Sequence, residues 1–494
     1  MEFETQLKKL KYLVLREVAK MTLEDRVNKE ELEKVPFTII EGDTAEYRCC
    51  VYRERAIVYE RAKLAIGCLP NGQEAEKFVH VEDNDQIVYV IDAACDKCPI
   101  NRFIVTEACR GCIQHNCMEV CPAGSITRAG GRAYINHETC KECGLCKQAC
   151  PYGAVAEVMR PCKRACPTGA LQMNLDNNRA TIDKKDCVNC GACMGACPFG
   201  AISDKSYIVD VTRSLMNEKK VYAVVAPAIT GQFGNKVKVG QIKAAFKKMG
   251  FVDMIEAACG ADAVVVHEGN EFVERMENGD KYMTNSCCPG FLNYIEKKFP
   301  DQIDNVSGTV SPMVATGRMI KKMDPEALVV FVGPCTAKKS EIKRPSVKDS
   351  VDYVMTFEEI TALMGAYDIE PQKLENEDIN DASSFGRGFA QGGGLTAAIE
   401  NYIEKKEVKV DFEPVKVSGP FDIKRAMMMA KAGKLQGNFI EGMMCEGGCI
   451  GGPATMVSMM KSRPQLAKFS KEAQIKHVID NENLKRYEEV NMER

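Results

Sequence analysis

CKECGLCKQACP, residues 140–151, and CVNCGACMGACP, residues 187–198, carry the spacing Cys-x2-Cys-x2-Cys-x3-Cys-Pro twice without exception. A tight loop of this kind brings three thiolates onto one face of a [4Fe-4S] cubane, and the fourth Cys, followed by a chain-turning Pro, reaches a neighbouring cluster. The spacing therefore encodes pairing as well as ligation. A third run, Cys109, Cys112, Cys117 and Cys121 with Pro122, holds two extra residues in its loop, one of them His115. Four Cys already fill a coordination shell, so His115 reads as a solvent-facing loop residue.

Two half-motifs remain, Cys95-x2-Cys98 and Cys162-x3-Cys166-Pro167, separated by the segment that holds the Cys109 and Cys140 runs. Together they make one complete motif. The bacterial ferredoxin rule of cross-ligation then predicts two nested pairs of clusters. The inner pair would use Cys109, Cys112 and Cys117 with Cys150, and Cys140, Cys143 and Cys146 with Cys121. The outer pair would use Cys187, Cys190 and Cys193 with Cys166, and Cys95, Cys98 and Cys162 with Cys197. Sixteen Cys make four accessory [4Fe-4S] clusters on this reading, and the alternative is three clusters with idle thiols. A row of clusters suits the movement of single electrons between the surface and something buried.

Outward from this block, the chain has 494 residues, enough for about three domains at roughly 150 residues each. The expected division is 1–85, a small helical region of unknown role, 86–212, the cluster block, and 213–494, a larger domain. With 66 Lys+Arg against 69 Asp+Glu the net charge is −3, and no long basic block offers an electrostatic footprint for nucleic acid. The 25 Cys are far more than a chain of this size needs for stapling, and they read as metal ligands in a reducing compartment. MEFETQLKKLKYLVLREVAK mixes acids and bases as an amphipathic helix does, unlike a signal peptide. The apolar run Val221 to Ile229 is about half a membrane span and contains Pro227, so a cytoplasmic chain with no membrane partner is expected. From Val221 onward, apolar runs (VYAVVAPAI, ADAVVV, ALVVFV, VDYVM, NFIEGMM) alternate with helical-period stretches (VGQIKAAFKKM, FLNYIEKKF, FDIKRAMMMAKA), the pattern of a layered α/β domain.

Three further Cys segments fall where apolar runs end or just beyond: TNSCCPGF at 284–291, FVGPCTAKKSE at 331–341 and EGMMCEGGCIGGP at 441–453. Strand C-termini are where α/β sheets build sites. In order and spacing these segments resemble the three signatures of the [FeFe]-hydrogenases, and the likeness spans about residues 90–455. It implies a two-lobed α/β catalytic domain preceded by α+β bacterial ferredoxin-like domains. It also implies an H-cluster, a [4Fe-4S] cubane joined through one Cys sulfur to a two-iron unit carrying CO, cyanide and an amine dithiolate. By the same resemblance Cys288, Cys335, Cys445 and Cys449 would hold the cubane, with Cys449 bridging, and Cys287 would stand free of iron as the last proton donor and acceptor. Lys338 would place its ammonium against cyanide and Glu341 would hold that lysine. Ala226, Pro227, Met443, Gly393 and Gly394 would lie against the group.

HEGNEFVERM puts Glu268, Glu271 and Arg275 on one helical face, which alone would mean a solvated stripe. The resemblance turns it into a proton relay with Ser307 of NVSGTVSP: Cys287, Glu268, Ser307, Glu271, Arg275. The implied activity is reversible oxidation of H2 and reduction of protons. Electrons would pass to ferredoxin or a similar carrier, since no flavin or dinucleotide fingerprint is present, and maturation proteins would supply the two-iron unit.

Departures from the family pattern mark a divergent branch. Asn285 and Phe291 replace the common Thr and Trp of the first signature, Gly333 sits where Met is frequent, Met313 where Gln is common, and Ala228 where a hydroxyl often sits. The last segment runs from Cys449 directly through Gly451 and Gly452 to Pro453. Two rivals remain: an iron-sulfur assembly relative that keeps only the cubane, and a slow hydrogen sensor. Cys49, Cys50 and Cys68 lie in a helical stretch and could hold a further metal with His80, but their spacing matches no cluster loop. Cys259 and Met427 to Met429 read as core filling, and the glycine run after Gln391 as close backbone approach.

Overall fold

Val221–Val225 and Leu328–Val332 lie side by side at the centre of a four-stranded sheet, flanked by Asp253–Glu256 and Tyr353–Met355, with every neighbouring pair parallel. Both central strands are almost wholly buried, as continuous β-branched runs in parallel sheets are. A second, smaller parallel sheet orders Met283–Thr284, Phe439–Met443 and Pro414–Ser418. The computed structural model describes residues 3–71, 86–96, 98–174 and 176–494, so His80 falls outside the described residues. The three Cys segments leave the C-terminal ends of Met283–Thr284, Leu328–Val332 and Phe439–Met443, strands drawn from both sheets.

One expected strand is a helix. ADAVVV lies inside the 21-residue helix Ala257–Glu277, which is packed between the helices Pro312–Met323 and Gly394–Lys405. Its first nine residues are all buried, Asp262 among them, so the segment is covered on every side and shows no 3.6-residue apolar period.

The cysteine block is built from antiparallel pairs: Phe103–Val105 with Val155–Glu157, the hairpin Ile126–Ala129 with Arg132–Ile135, and Leu171–Asn174 with Arg179–Ile182. Val88–Val90 pairs with Ile202–Asp204 and closes the whole block, so the strand pairing is nested. Three helices precede it, Gln6–Leu23, Lys29–Ile39 and Val51–Ala65. The third starts later than its sequence pattern suggests, because Cys50 is its N-cap residue; Cys49 and Cys50 are exposed ahead of it and Cys68 follows it. The first helix packs on Ile208–Met216 and Phe357–Ala366, where Lys11 Nζ bonds the Glu358 carboxylate at 3.0 and 3.1 Å. Val14 and Val18 share one hydrophobic core with Val221 and Val330. The N-terminal helices are thus part of the large domain's core, and the helix Ile208–Met216 runs through the expected junction at 212/213. Among the described residues no helix is long and apolar enough to cross a membrane.

Candidate metal centre

Local chemistry sets each ligand loop. Pro289 opens the helix Pro289–Lys298 at a position where its missing N–H costs nothing, leaving Cys288 as the N-cap and Cys287 just outside. The single-turn helix Ala337–Glu341 starts two residues past Cys335 and sets Lys338 and Glu341 on one face. Gly448, at φ 94°, lets the Cys445 to Cys449 loop press on the glycine run: a Cβ there would lie 2.6 Å from the backbone nitrogen of Gly392.

The loops converge on a cavity of about 90 Å³, lined among others by Cys287, Cys288, Cys335, Cys449, Lys338 and Met443. Ala226 and Pro227 complete one wall. Cys445 lies behind it within the electrostatic reach of Cys335, Cys288 and Cys449. Enclosure within the protein, reinforced by the neighbouring thiols, pushes Cys335 up to about 11, Cys445 well above its ordinary value, and Cys449, whose open surface lines the cavity, up to about 12. Such a set holds its protons until a cation displaces them, the chemistry of thiols that ligate a metal cluster. Among the described residues no three His, Cys, Asp or Glu side chains close on a single point as one bound ion would require. Thiolates at the corners of a cubane each meet a different iron and stand further apart.

Lys338 Nζ donates to Glu341 Oε2 at 2.8 Å, with the two side chains 11% and 9% exposed. Burial works against the ammonium, but the Glu341 charge and hydrogen bond outweigh it and raise Lys338 above its ordinary value. It therefore faces the cavity as a cation, 5.8 Å from the centre of the Phe331 ring. Phe331 also explains Gly333: a Cβ at 333 would come within 2.6 Å of that ring. The remaining wall is apolar, with Met313, Ala257, Ala258, Ala261, Phe389 and Ala390. Most of these carry no motif, and their one sequence signal is proximity to Glu268 and to the glycine run. Gly393 and Gly394 do not line the cavity; they open the helix Gly394–Lys405, where the Gly393 N–H donates to Glu441 Oε1 at 2.7 Å.

Cys287 accepts a hydrogen bond from Asn285 Nδ2 at 3.2 Å, and Asn285 Oδ1 accepts from the Gly442 N–H at 2.7 Å. Burial pushes the Cys287 thiol well above its ordinary value, and the charge of Glu268 adds to this. Glu268 is fully buried, and neither carboxylate oxygen meets a well-aligned donor among the described residues, although the Ser307 hydroxyl and the Ser286 N–H lie near enough to pull its pKa down in part. Burial, then the charge of Glu271, pushes it up to about 8. Ser307 Oγ donates to Glu271 Oε2 at 2.6 Å, and Glu271 pairs with Arg275 at 2.8 Å. Burial works to raise Glu271, but the Ser307 and Gly308 hydrogen bonds and the Arg275 charge hold it below its ordinary value. Thr309, which the sequence did not single out, also donates to Glu271 at 3.0 Å and contacts His267 Nδ1 at 2.9 Å.

The sixteen Cys of the cysteine block fall into neighbourhoods, with Cys193 beside Cys190, Cys187 and Cys166. Cys117 feels Cys150, Cys112 and Cys109. Cys121, Cys140, Cys143 and Cys146 line one small cavity. Cys162 feels Cys197, Cys95 and Cys98, while Cys190 feels Cys187 and Cys166 and, beyond them, Cys335. The Cys190 loop docks on the central site: Thr336 Oγ1 donates to the Asn189 carbonyl at 2.7 Å, and a Cβ on Gly191 would lie 2.6 Å from that hydroxyl. His115 sits in a left-handed turn at the start of a four-residue helix, 3.4 Å from Arg128. Cys259 is buried in the core, and only Met427 of the Met run is fully buried.

Residues 219–453 match the family described as iron only hydrogenase large subunit, C-terminal domain. Residues 133–156 match a 4Fe-4S binding domain, and 155–208 an LdpA Fe-S cluster-binding domain. The chain is iron-only hydrogenase-like. This hydrogenase-like chain is 28% identical over 302 residues to Iron hydrogenase 1 of Clostridium pasteurianum, covering 51% of itself and 52% of that relative, so it spans about half the relative's length. A solved [FeFe]-hydrogenase HydA1 from Chlamydomonas reinhardtii shares the fold at TM-score 0.50 and 19% identity, over 57% of this chain and 93% of that one. The hydrogenase-like chain is also 28% identical over 163 residues to the cytosolic Fe-S cluster assembly factor NAR1 of Kluyveromyces lactis, covering 33% of itself and 29% of that protein.

Proposed function

We propose that this protein interconverts H2 with protons and electrons at an H-cluster, and that four accessory [4Fe-4S] clusters relay the electrons to a carrier such as ferredoxin. The observation that carries the reading is the joint presence, on one cavity, of a thiol free for proton transfer, Cys287, and a buried cation, Lys338, beside the ligand set Cys288, Cys335, Cys445 and Cys449. A cubane alone needs neither the cavity nor the cation, which argues against the assembly-factor reading.

The residues present fit the group. Cys288, Cys335, Cys445 and Cys449 would hold the cluster, and the Lys338 ammonium, kept in place by Glu341, would meet an anionic ligand on it. When bound, the cluster supplies the metal chemistry that splits and forms the H–H bond. The chain supplies proton movement. Cys287 Sγ exchanges a proton with the cavity on one side and with Glu268 on the other, and a carboxyl near 8 gives up and regains a proton at neutral pH. From Glu268 the proton passes by way of the Ser307 hydroxyl to Glu271, and Arg275 marks the exit. Cys190 and its partners would hold the cluster next to this site, since their loop rests on Thr336 and Gly290, close to Cys335 and Cys288, and that cluster would supply the route for electrons.

The test is H2-dependent reduction of a viologen dye, and the reverse reaction, by anaerobically matured protein. Cys287→Ala is expected to lower both by at least about 100-fold with iron content unchanged, and undiminished turnover would contradict the proposal.

A further inference from the structure

Arg61, on the helix Val51–Ala65, is 5% exposed. Its Nη2 donates to the Gly200 carbonyl, but Nε and Nη1 have no hydrogen-bond partner among the described residues. Seven residues earlier on the same helical face, Glu54 is 3% exposed. Its Oε1 accepts the backbone N–H groups of Tyr47 and Arg48, and its Oε2 has no partner. Both side chains line one cavity of about 300 Å³ whose apolar wall includes Leu7, Leu10, Val58 and Phe199.

Neighbouring charges do not complete either group. Glu358 acts on Arg61, yet both its oxygens are held by Lys11. Arg48 is engaged with the carbonyls of Ala94 and Phe199. Idle donors on a buried guanidinium and an idle buried carboxylate oxygen each cost stability unless something satisfies them. The idle groups have opposite character, so one small molecule with an anionic end and a donor end answers both.

We propose that this cavity binds a small hydroxy- or amino-carboxylate, with its carboxylate on Arg61 and its hydroxyl or ammonium on Glu54. The volume matches the lower end of small-ligand pockets. The site also adjoins the electron relay, since Cys197 acts electrostatically on Arg61 and Phe199 lies two residues beyond it. A hydroxycarboxylate placed there adds a net negative charge that disfavours an added electron, so its occupancy lowers the midpoint potential of the cluster that Cys197 would ligate, whereas a zwitterionic amino acid adds none. This second step rests on the four-cluster reading above.

Titration calorimetry on the full reconstituted chain, with lactate, glycine and inorganic phosphate as separate probes, tests the site. Saturable binding of lactate or glycine is expected, weakened at least about tenfold by Arg61→Gln, by Glu54→Gln and by Leu10→Phe, which fills the cavity without touching a charge. No saturable binding of either probe at millimolar concentration overturns the site, as does binding that Leu10→Phe leaves unchanged. Saturation by phosphate alone overturns the carboxylate assignment. A redox titration followed by electron paramagnetic resonance separates the second step: a fall in one accessory midpoint on adding lactate supports it, and lactate binding with all midpoints unmoved overturns the coupling.

Discussion

At the scale of single residues, Glu268 carries a consequence for both stability and catalysis. Its carboxyl stands at about 8 in the folded chain against an ordinary 4.5. Between these values the folded state binds a proton that the unfolded state has lost. The contribution to stability is therefore complete below about pH 4.5 and is lost as pH rises towards 8. Glu268→Gln, uncharged throughout, should match the native protein in melting temperature near pH 5 and exceed it near pH 8. A gap that stays constant with pH, measured by thermal unfolding, would contradict the burial assigned to Glu268. The same variant should lose at least about 100-fold in turnover, because an amide cannot pass the proton. The sequence showed the spacing of Glu268, Glu271 and Arg275 but not that Glu268 is buried while Arg275 reaches solvent, since a helical stripe does not reveal which of its turns is covered. Thr309 and Asn285 were harder to read still, because their roles depend on partners distant in sequence, Glu271 on the helix Ala257–Glu277 and Gly442 on the strand Phe439–Met443.

Among the elements, Lys339 joins three pieces of chain. Its ammonium, fully buried, bonds Asp204 at 2.7 Å and Glu359 at 2.8 Å, tying the last strand of the cysteine block to the helices Ala337–Glu341 and Phe357–Ala366. Lys339→Met leaves two buried carboxylates facing each other and should cost about 3–5 kcal/mol in chemical denaturation. A loss under 1 kcal/mol would show that the two carboxylates find other partners. The misread ADAVVV segment belongs to this scale. A short apolar run is the same string in a buried strand and in a helix buried on all sides, and only the length of the element, 21 residues, separates them. The positions of the three Cys segments were legible for the opposite reason: Cys-Cys-Pro, Pro-Cys and Cys-x3-Cys each sit at a strand end where the backbone must leave the sheet.

For the whole molecule, the nested order of strand pairs matches the nested order of cysteine runs, so removing one outer set should be a local event. Cys95→Ser combined with Cys162→Ser is expected to lose about four irons per chain while the Cys109 and Cys140 runs keep theirs. Loss of all accessory iron would instead mean that the block folds as one unit around its clusters. The N-terminal helices were the least legible part, because nothing in residues 1–85 announces that their apolar faces belong to the large domain's core. Whether this protein carries an H-cluster is decided by infrared spectroscopy in the CO and cyanide stretching window, on protein matured anaerobically with its two-iron unit. Bands in that window that shift under H2 are the predicted result. A silent window after competent maturation would contradict the account and leave Cys287 and Lys338 as structural residues around a cubane alone.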